Sequence, residues 1–323
     1  MGRIGQAPPR SSQRRVGLAA PGSVEQRYLR WSTARTLVGA GVLATILGVL
    51  GEALYWKTVN ELPLEAVWTR WAYMLGKELP MPKLVRMPEG TFMMGSELGR
   101  EYERPVHSVT FTEPLHLGPT EVTFAQFSAF TGATGRQPPD DSGWGSDNRP
   151  VINVDWWDAR DYARWLGAMT GTTCRLPSEA EWEYACRAGT TTEFALPAET
   201  GGSDDIAGKG LANCADCGSE WDGDQTAPVG SFPANAWGMH DMHGNVWEWV
   251  EDCWHESYHR APVGGQAWLE ENHGGCPVRV LRSGSWNNFR NATRCALRDW
   301  NQPSNVNSTL GFRVVCSSPI IDG

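Results

Sequence analysis

The feature that most constrains the fold is a long polar segment between two strand-like segments near the C-terminus. Residues 280–286 and 310–315 read as buried strands, whereas residues 287–309 are rich in asparagine and lack helical or strand periodicity. We expect this segment to be a displayed loop, because long loops inside a compact domain are uncommon and usually carry function. The rest of the domain then acts as a scaffold for this surface.

The composition favours a loop-rich fold with an aromatic core. The chain contains 17 Trp, 36 Gly and 21 Pro, so large rings rather than long regular elements are expected to fill the interior. A length of 323 residues suits one large domain with an appendage. The formal net charge of -9 argues against nucleic acid as a partner, because phosphate binding requires a basic surface.

The N-terminal part of the chain predicts a membrane anchor. Residues 1–30 are rich in Arg, Pro, Ser and Gly and are expected to be a disordered basic tail. Residues 31–56 contain an apolar run flanked by aromatic residues, which predicts one transmembrane helix. Because arginines precede this helix, we expect an inner-membrane, single-pass protein whose C-terminal domain is periplasmic or extracytoplasmic.

Two alternatives stay open for the apolar run, namely a cleaved signal peptide and a buried helix of a soluble protein. Residues 57–81 are predicted to form a juxtamembrane helix and linker. The domain itself is predicted to begin at about residue 82.

From residue 82 the sequence predicts an α+β domain. Strands are expected within residues 85–95 and at residues 107–111, because apolar residues alternate there. Three helices are expected to begin at capping boxes, in which a polar residue is followed three positions later by a second one. The pairs are Thr123 with Gln126, Asp155 with Asp158 and Ser178 with Glu181. After Gly189 the periodicity fades, so residues up to about 245 are expected to be irregular and to need cations or disulfides.

Five motifs carry a resemblance to a known family. In chain order they are MPEGTFMMG at 87–95, RPVINV at 149–154, RLPSEAEWE at 175–183, GNVWEW at 244–249 and GFR at 311–313. Together they resemble the formylglycine-generating enzyme family, also called sulfatase-modifying factors, over residues 82–317. The resemblance implies an irregular, loop-rich, C-type-lectin-like fold.

The resemblance also bears on catalysis. Enzymes of this family oxidise a sulfatase cysteine to formylglycine, using molecular oxygen and copper held by two active-site cysteines. The first cysteine follows a Gly-Ser-aromatic motif, which matches Gly284-Ser285-Trp286 here, and Asn288 occupies its position. No cysteine occurs at residues 289–292, where the second would fall. An amide does not replace a thiolate for soft copper(I), so copper is unlikely and no catalytic residue is assigned.

The resemblance further implies a disulfide between Cys186 and Cys295, and the alternative is two buried free thiols. Connectivity among the remaining cysteines is not fixed by sequence. The predicted pairs are Cys174 with Cys316, Cys253 with Cys276 and Cys214 with Cys217. The last pair has zinc-like spacing, but a lone CxxC without a second pair favours a local disulfide.

Structural calcium is also implied, because hard oxygen ligands in short turns suit this ion. A first site is predicted at Asp241, Glu248 and the backbone carbonyls of Gly244 and Val246. A second is predicted at Asn213, Asp222 and the carbonyls of Cys214 and Asp224. In both cases the alternative is that these acids are solvated on loops.

The C-terminal segment also resembles the variable region of proteins diversified by diversity-generating retroelements, in which surface residues of this fold are replaced. The positions that would be diversified are Phe289, Ala292, Thr293, Leu297, Asp299, Ser304, Val306, Ser308 and Thr309. Trp300 and Gln302 do not fit, because neither is reachable from an asparagine codon whose third base is unchanged.

These observations predict a membrane-anchored, non-catalytic module that binds an unknown protein or glycan ligand. The predicted contact residues are Trp286, Asn287, Asn288, Phe289, Asn291, Asp299, Trp300, Asn301, Asn305 and Asn307. Aromatic anchors with adaptable polar neighbours are typical of such surfaces. Two alternatives are an oxidase or periplasmic maturation factor acting on a protein cysteine or tyrosine, and a structural accessory subunit.

Overall fold

A computed structural model describes residues 69, 72–73, 78–196, 206–269 and 275–320. The predicted basic tail and transmembrane helix, together with most of the linker, lie outside the described residues. Within the described ranges no helix is both long enough and apolar enough to cross a bilayer. The described chain is α+β with short elements and much irregular backbone, as the composition predicts.

The strands form three small sheets. They are β1 (Val85–Met87), β2 (Gly90–Met94), β3 (His107–Phe111), β4 (Leu115–Leu117), β5 (Cys174–Arg175), β6 (Trp247–Cys253), β7 (Arg279–Arg282), β8 (Asp299–Asn301), β9 (Leu310–Phe312) and β10 (Val315–Cys316). The sheet orders are β1-β4-β10-β5, β2-β3 and β8-β7-β6-β9. Neighbouring strands are antiparallel except β6 and β9, which are parallel.

Three helices begin where the capping residues predict. They are α1 (Phe124–Thr134), α2 (Trp156–Thr170) and α3 (Glu179–Arg187). The side chains of Thr123, Asp155 and Ser178 accept hydrogen bonds from backbone amides three residues later, at 3.2, 2.8 and 3.0 Å. Each helix ends in a left-handed residue, and for α3 this is Ala188 rather than the expected Gly189.

Aromatic side chains fill the main core, as predicted. Phe130, Tyr162 and Trp165 are almost fully buried, and their rings meet at centroid distances of 5.7 to 5.8 Å. Leu79 and Met81, which the sequence places in the linker, pack against this core. The packed domain therefore includes residues before position 82.

The expectation that residues 287–309 form one continuous loop is wrong. Residues 299–301 form β8, which pairs with β7 at the edge of a sheet. The stretch from Thr293 to Arg298 is buried beneath the surface. The segment is therefore anchored in its middle as well as at its ends. Sequence periodicity did not predict this strand, because strand formation depends on pairing with residues far away in the chain.

All eight cysteines are paired, in the combinations predicted. Disulfides join Cys186 to Cys295, Cys174 to Cys316, Cys253 to Cys276 and Cys214 to Cys217. The first fixes α3 to the C-terminal segment across 109 residues of sequence. Such long-range links compensate for the scarcity of regular structure in the described residues 188–196 and 206–246.

Candidate functional site

Trp286 stands at the start of the C-terminal segment (residues 287–309) and connects it to its own far end and to two other parts of the chain. Its backbone amide donates to the Asn245 carbonyl at 2.9 Å, and its Nε1 donates to the Ser308 carbonyl at 3.1 Å. The indole meets Trp144 edge to face, with ring centroids 5.4 Å apart. The two ends of the segment are therefore tied together by one side chain.

Asn288 is held inside a tight turn. Its Oδ1 accepts hydrogen bonds from the amide and the hydroxyl of Ser285, at 3.1 and 2.7 Å. Asn287 Oδ1 accepts from the same hydroxyl at 2.8 Å. The position that carries a thiol in the resembling enzymes therefore carries an amide with a local structural role.

Other asparagines of the segment also use their amides locally. Asn301 Oδ1 accepts from the Gln302 amide and from Asn305 Nδ2, both at 2.9 Å. Asn307 Oδ1 accepts from the amide and the hydroxyl of Thr309, at 2.8 and 2.6 Å. The asparagines thus stabilise turns of the segment, as Asx turns do elsewhere.

Apolar side chains project outward between these turns. Phe289 is 66% exposed, Trp300 is 48% exposed and Val306 is 52% exposed. Asn287, Asn291 and Asp299 are exposed as well. Thr293 and Leu297 are buried, with exposed fractions of 0% and 3%. The prediction that these two residues are diversified surface positions is therefore wrong.

The free edge of β8 is closed to a further strand by its own side chains. Asp299 Oδ1 accepts from the Trp300 amide at 2.8 Å, and Asn301 Oδ1 accepts from the Gln302 amide. Edge amides satisfied in this way are poor templates for strand addition. Recognition by this segment would therefore use exposed side chains rather than backbone pairing.

A buried ionic cluster supports the segment from below. Arg298, fully buried, donates to both carboxylate oxygens of Glu179 at 2.8 and 2.9 Å and to the carbonyls of Tyr102 and His255. Arg282 donates to the same carboxylate at 3.0 Å. Sequence patterns did not reveal this cluster, because its members come from distant parts of the chain.

Asp252 lies beside this cluster. Its oxygens accept from the backbone amides of Glu179 and Trp268, each at 2.8 Å. Burial, with the neighbouring Glu179 carboxylate, raises the pKa of Asp252 to about 8. The interior beneath the segment therefore combines buried ion pairs with a carboxyl group whose ionisation is disfavoured.

The first predicted calcium site is only partly open to a cation. Both oxygens of Glu248 are used, because they accept from Arg313 at 2.6 and 2.7 Å and from Trp182 Nε1 at 2.8 Å. The Gly244 carbonyl accepts from the Ser283 hydroxyl at 2.9 Å. Asp241 Oδ1, by contrast, is buried without a hydrogen-bond partner.

Glu121, which the sequence analysis missed, faces this same site. Its Oε1 accepts from Asn245 Nδ2 at 3.1 Å, whereas its Oε2 is buried without a partner. Burial and the nearby carboxylates of Asp241 and Glu248 raise the pKa of Glu121 well above its usual range. The carboxyl groups of Glu121 and Asp241 lie within hydrogen-bonding reach of each other, and each has one oxygen with no other partner. A shared proton or a hard cation satisfies such a pair.

The second predicted calcium site has its side chains engaged. Asp222 accepts from the Ser219 hydroxyl at 2.5 Å and from the Gly218 amide. Asn213 Oδ1 accepts from the same hydroxyl at 3.2 Å, while its Nδ2 donates to the Gln225 carbonyl. Asp224 is exposed. These side chains stabilise their own turn.

A ring nitrogen of the buried His243 lies within 4.8 Å of both sulfur atoms of the Cys186–Cys295 disulfide. Its Nε2 accepts from the Ala195 amide at 3.1 Å, so Nδ1 carries the proton and donates to the Thr293 carbonyl at 2.9 Å. Burial lowers the pKa of His243 to about 4, against the opposing effect of the Thr293 bond. The imidazole is therefore neutral at physiological pH.

This burial predicts a loss of stability in mild acid. In the unfolded chain His243 takes up a proton near pH 6.5, whereas in the folded chain it does so near pH 4. The neutral imidazole therefore contributes fully to the free energy of unfolding above about pH 6.5. This contribution, at most about 3 kcal/mol, is lost as the pH falls toward about 4. Urea denaturation at several pH values measures the free energy of unfolding of the wild type and of His243→Gln. Between about pH 6.5 and 4 this free energy should fall less steeply with decreasing pH in the variant than in the wild type.

Glutamine is the appropriate replacement, since its amide can accept from Ala195 and donate to Thr293 without titrating. His259→Gln is the control, because His259 is exposed and should leave the slope unchanged. An equally steep acid loss in His243→Gln and wild type would contradict the assignment.

Comparisons with known proteins agree with this architecture. Residues 73–318 match the sequence model of the sulfatase-modifying factor enzyme 1-like domain. The formylglycine-generating enzyme of Streptomyces coelicolor is 31% identical over 306 residues, covering 74% of this chain and 90% of that protein. Some curated relatives are much longer, and the chain spans 37% to 42% of their length.

Two solved structures are similar in fold. PvdO from Pseudomonas aeruginosa has a TM-score of 0.66 and 34% identity, covering 73% of this chain and 94% of that one. Treponema denticola variable protein 1 has a TM-score of 0.58 and 23% identity, covering 73% and 95%. The similarity to the Treponema denticola protein concerns the fold alone.

Proposed function

Because the chain belongs to the sulfatase-modifying factor enzyme 1-like domain family, we propose that it uses this scaffold to bind a ligand and does not form formylglycine. The observation that carries the proposal is the state of its cysteines. Asn288 stands at the first active-site cysteine position, and all eight cysteines are in disulfides. No thiolate pair is thus available at the site in the oxidised chain.

The proposed ligand surface comprises the exposed side chains of the C-terminal segment, with Phe289 and Trp300 as anchors. Large rings that are held on a rigid support bury much area at low entropic cost. Arg298, two residues before Trp300 in the chain, pairs with the buried Glu179 and fixes the backbone there. We propose that the ligand is a protein or a glycan, because exposed aromatic rings beside polar side chains are typical of surfaces that bind such ligands.

We further propose that residues 31–56 anchor the chain in the inner membrane, with the domain periplasmic or extracytoplasmic. Four disulfides support this placement, because disulfides persist in oxidising compartments. Retention of the full-length chain in the membrane pellet after alkaline extraction checks the anchor. Release of the chain into the supernatant would contradict it.

A structural calcium ion at the first site is part of the proposal. Asp241 and Glu121 would hold it through their unpartnered oxygens, with backbone carbonyls of residues 244 and 246 completing the set. The ion would neutralise two buried carboxylates, because the nearby Arg313 guanidinium is itself paired with Glu248. Its role is to stabilise the turn that carries Asn245 and, through it, Trp286.

Calcium is therefore expected to stabilise the protein. At free calcium about 100 times the dissociation constant, the free energy of unfolding should rise by about 2.7 kcal/mol over a chelator-treated sample. Glu121→Gln and Asp241→Asn should abolish the calcium-dependent part of thermal stability. Asp222→Asn, at the second predicted site, should retain the calcium-dependent part of thermal stability. The assignment would be contradicted if Asp222→Asn lost this stabilisation while Glu121→Gln and Asp241→Asn kept it.

The ligand surface can be tested by a binding screen. The purified domain-containing chain is applied to a glycan array and a displayed random-peptide library, and each enriched binder is titrated. Phe289→Ala and Trp300→Ala should each weaken binding about tenfold or more at unchanged stability. Trp157→Ala is the matched control, because Trp157 is 42% exposed on α2. Binders whose affinity is unchanged by both Phe289→Ala and Trp300→Ala would contradict the proposed surface.

The main alternative is a formylglycine-generating oxidase, favoured by 31% identity to the Streptomyces coelicolor enzyme. Copper-loaded full-length chain, incubated in air with a peptide containing Cys-x-Pro-x-Arg, distinguishes the two by mass spectrometry. We expect no formylglycine above the no-protein control, with the Streptomyces coelicolor enzyme as positive control. Conversion by this chain would overturn the non-catalytic assignment.

A further inference from the structure

A cleft of about 270 Å³ lies between the loop that follows β2 and the chain that follows α3. We propose that this cleft binds a peptide segment of a partner protein, in which an aliphatic side chain stands next to a lysine or an arginine. Phe289 and Trp300 do not line the cleft. The proposal therefore concerns a second site and does not depend on the ligand surface.

The two walls of the cleft are linked by hydrogen bonds. The Arg187 guanidinium, at the end of α3, donates to the Gly95 carbonyl at 2.9 Å and to the Thr192 carbonyl at 3.4 Å. On the opposite wall, the Ser96 amide donates to the Glu103 carbonyl at 3.1 Å. The cleft is therefore preformed, which lowers the entropic cost of binding a ligand.

Apolar side chains of the cleft remain open to solvent. Met93 is 50% exposed and Leu98 is 91% exposed, and Val106 is half-buried in the same cleft. Single apolar residues scattered over a surface are ordinary, but several that line one cleft indicate a binding site. A ligand with an aliphatic side chain would remove this apolar surface from water.

Two carboxylates at the cleft lack a close cation. Arg294 pairs with the buried Glu103 at 2.8 and 3.0 Å, whereas its distance to Glu193 is 3.8 Å. Glu97 is exposed and accepts a hydrogen bond from the Val106 amide at 3.2 Å. Because neither Glu97 nor Glu193 has a short ion pair within the described residues, a cationic group of a ligand is attracted to this position.

The shape of the cleft favours a peptide over a small molecule. Pockets for drug-sized ligands have volumes of about 300–1,000 Å³ and enclose most of the ligand. This cleft is smaller, and its residue Leu98 is almost fully exposed. One side chain of a peptide can enter the cleft while its neighbours cover Leu98. The formal net charge of -9 further favours a basic partner, through long-range attraction.

The test measures binding of the full-length chain, in a mild nonionic detergent, to immobilised peptides. Each peptide is a short chain of Gly and Ser that carries one Leu beside one Lys or Arg. Matched peptides carry Glu in place of the basic residue, or Ser in place of Leu. We expect the peptides with both Leu and a basic residue to bind about tenfold or more tightly than either matched set. The preference for a basic residue should weaken as salt is added.

Variants of the chain assign the binding to the cleft. Glu97→Gln with Glu193→Gln should abolish the preference for Lys or Arg over Glu. Glu113→Gln is the matched control, because Glu113 is exposed and does not line the cleft. Leu98→Ser should abolish the preference for Leu over Ser. Thermal unfolding of each variant should match the wild type, because these side chains are exposed or half-buried.

Three outcomes would overturn the proposal. The first is that no peptide preference is seen, or that the preference survives Glu97→Gln with Glu193→Gln. The second is that spermidine, a free amine, binds the chain while no peptide does. The third is that Phe289→Ala with Trp300→Ala abolishes the preference, which would place the peptide on the ligand surface. Since we expect this last variant to keep the preference, the cleft and the ligand surface fail separately.

Discussion

The buried ion pairs of α3 are the interaction on which the rest of the structure depends. Glu183, fully buried, accepts from Arg282 and Arg187 at 2.8 Å each and from the Gly95 amide at 2.9 Å. A nine-residue helix is too short to be stable alone. Its place is set by charges on β7 and by its disulfide. Removing one partner of such a set leaves an uncompensated buried charge, which typically costs about 3–5 kcal/mol.

The buried ion pairs also fix the backbone that carries the exposed side chains of the C-terminal segment. Arg298 connects α3 to the residue before β8, and it also holds the carbonyls of Tyr102 and His255 at 2.9 and 3.0 Å. The exposed Trp300 therefore stands on a backbone whose position is fixed from below. A rigid presentation of aromatic groups lowers the entropic cost of binding. Asn288, Asn301 and Asn307 contribute by closing turns of the segment.

The turn at residues 241–248 shows two ways of accommodating buried acids. Glu248 is neutralised within the chain by Arg313, at 2.6 Å. Glu121 and Asp241 have no such partner for one oxygen each, and burial raises the pKa of Asp241 as well as that of Glu121. A cation or a shared proton must offset that desolvation.

The sequence by itself determined the features that depend on local or pairwise patterns. The caps at Thr123 and Ser178 fixed the helix starts, because they satisfy amides within one turn. The ordered motifs indicated the family, and with it the Cys186–Cys295 disulfide. Only the tertiary structure decided that Thr293 and Leu297 are buried and that Glu121 faces Asp241. These facts depend on contacts between residues far apart in the chain, whose geometry no local periodicity encodes.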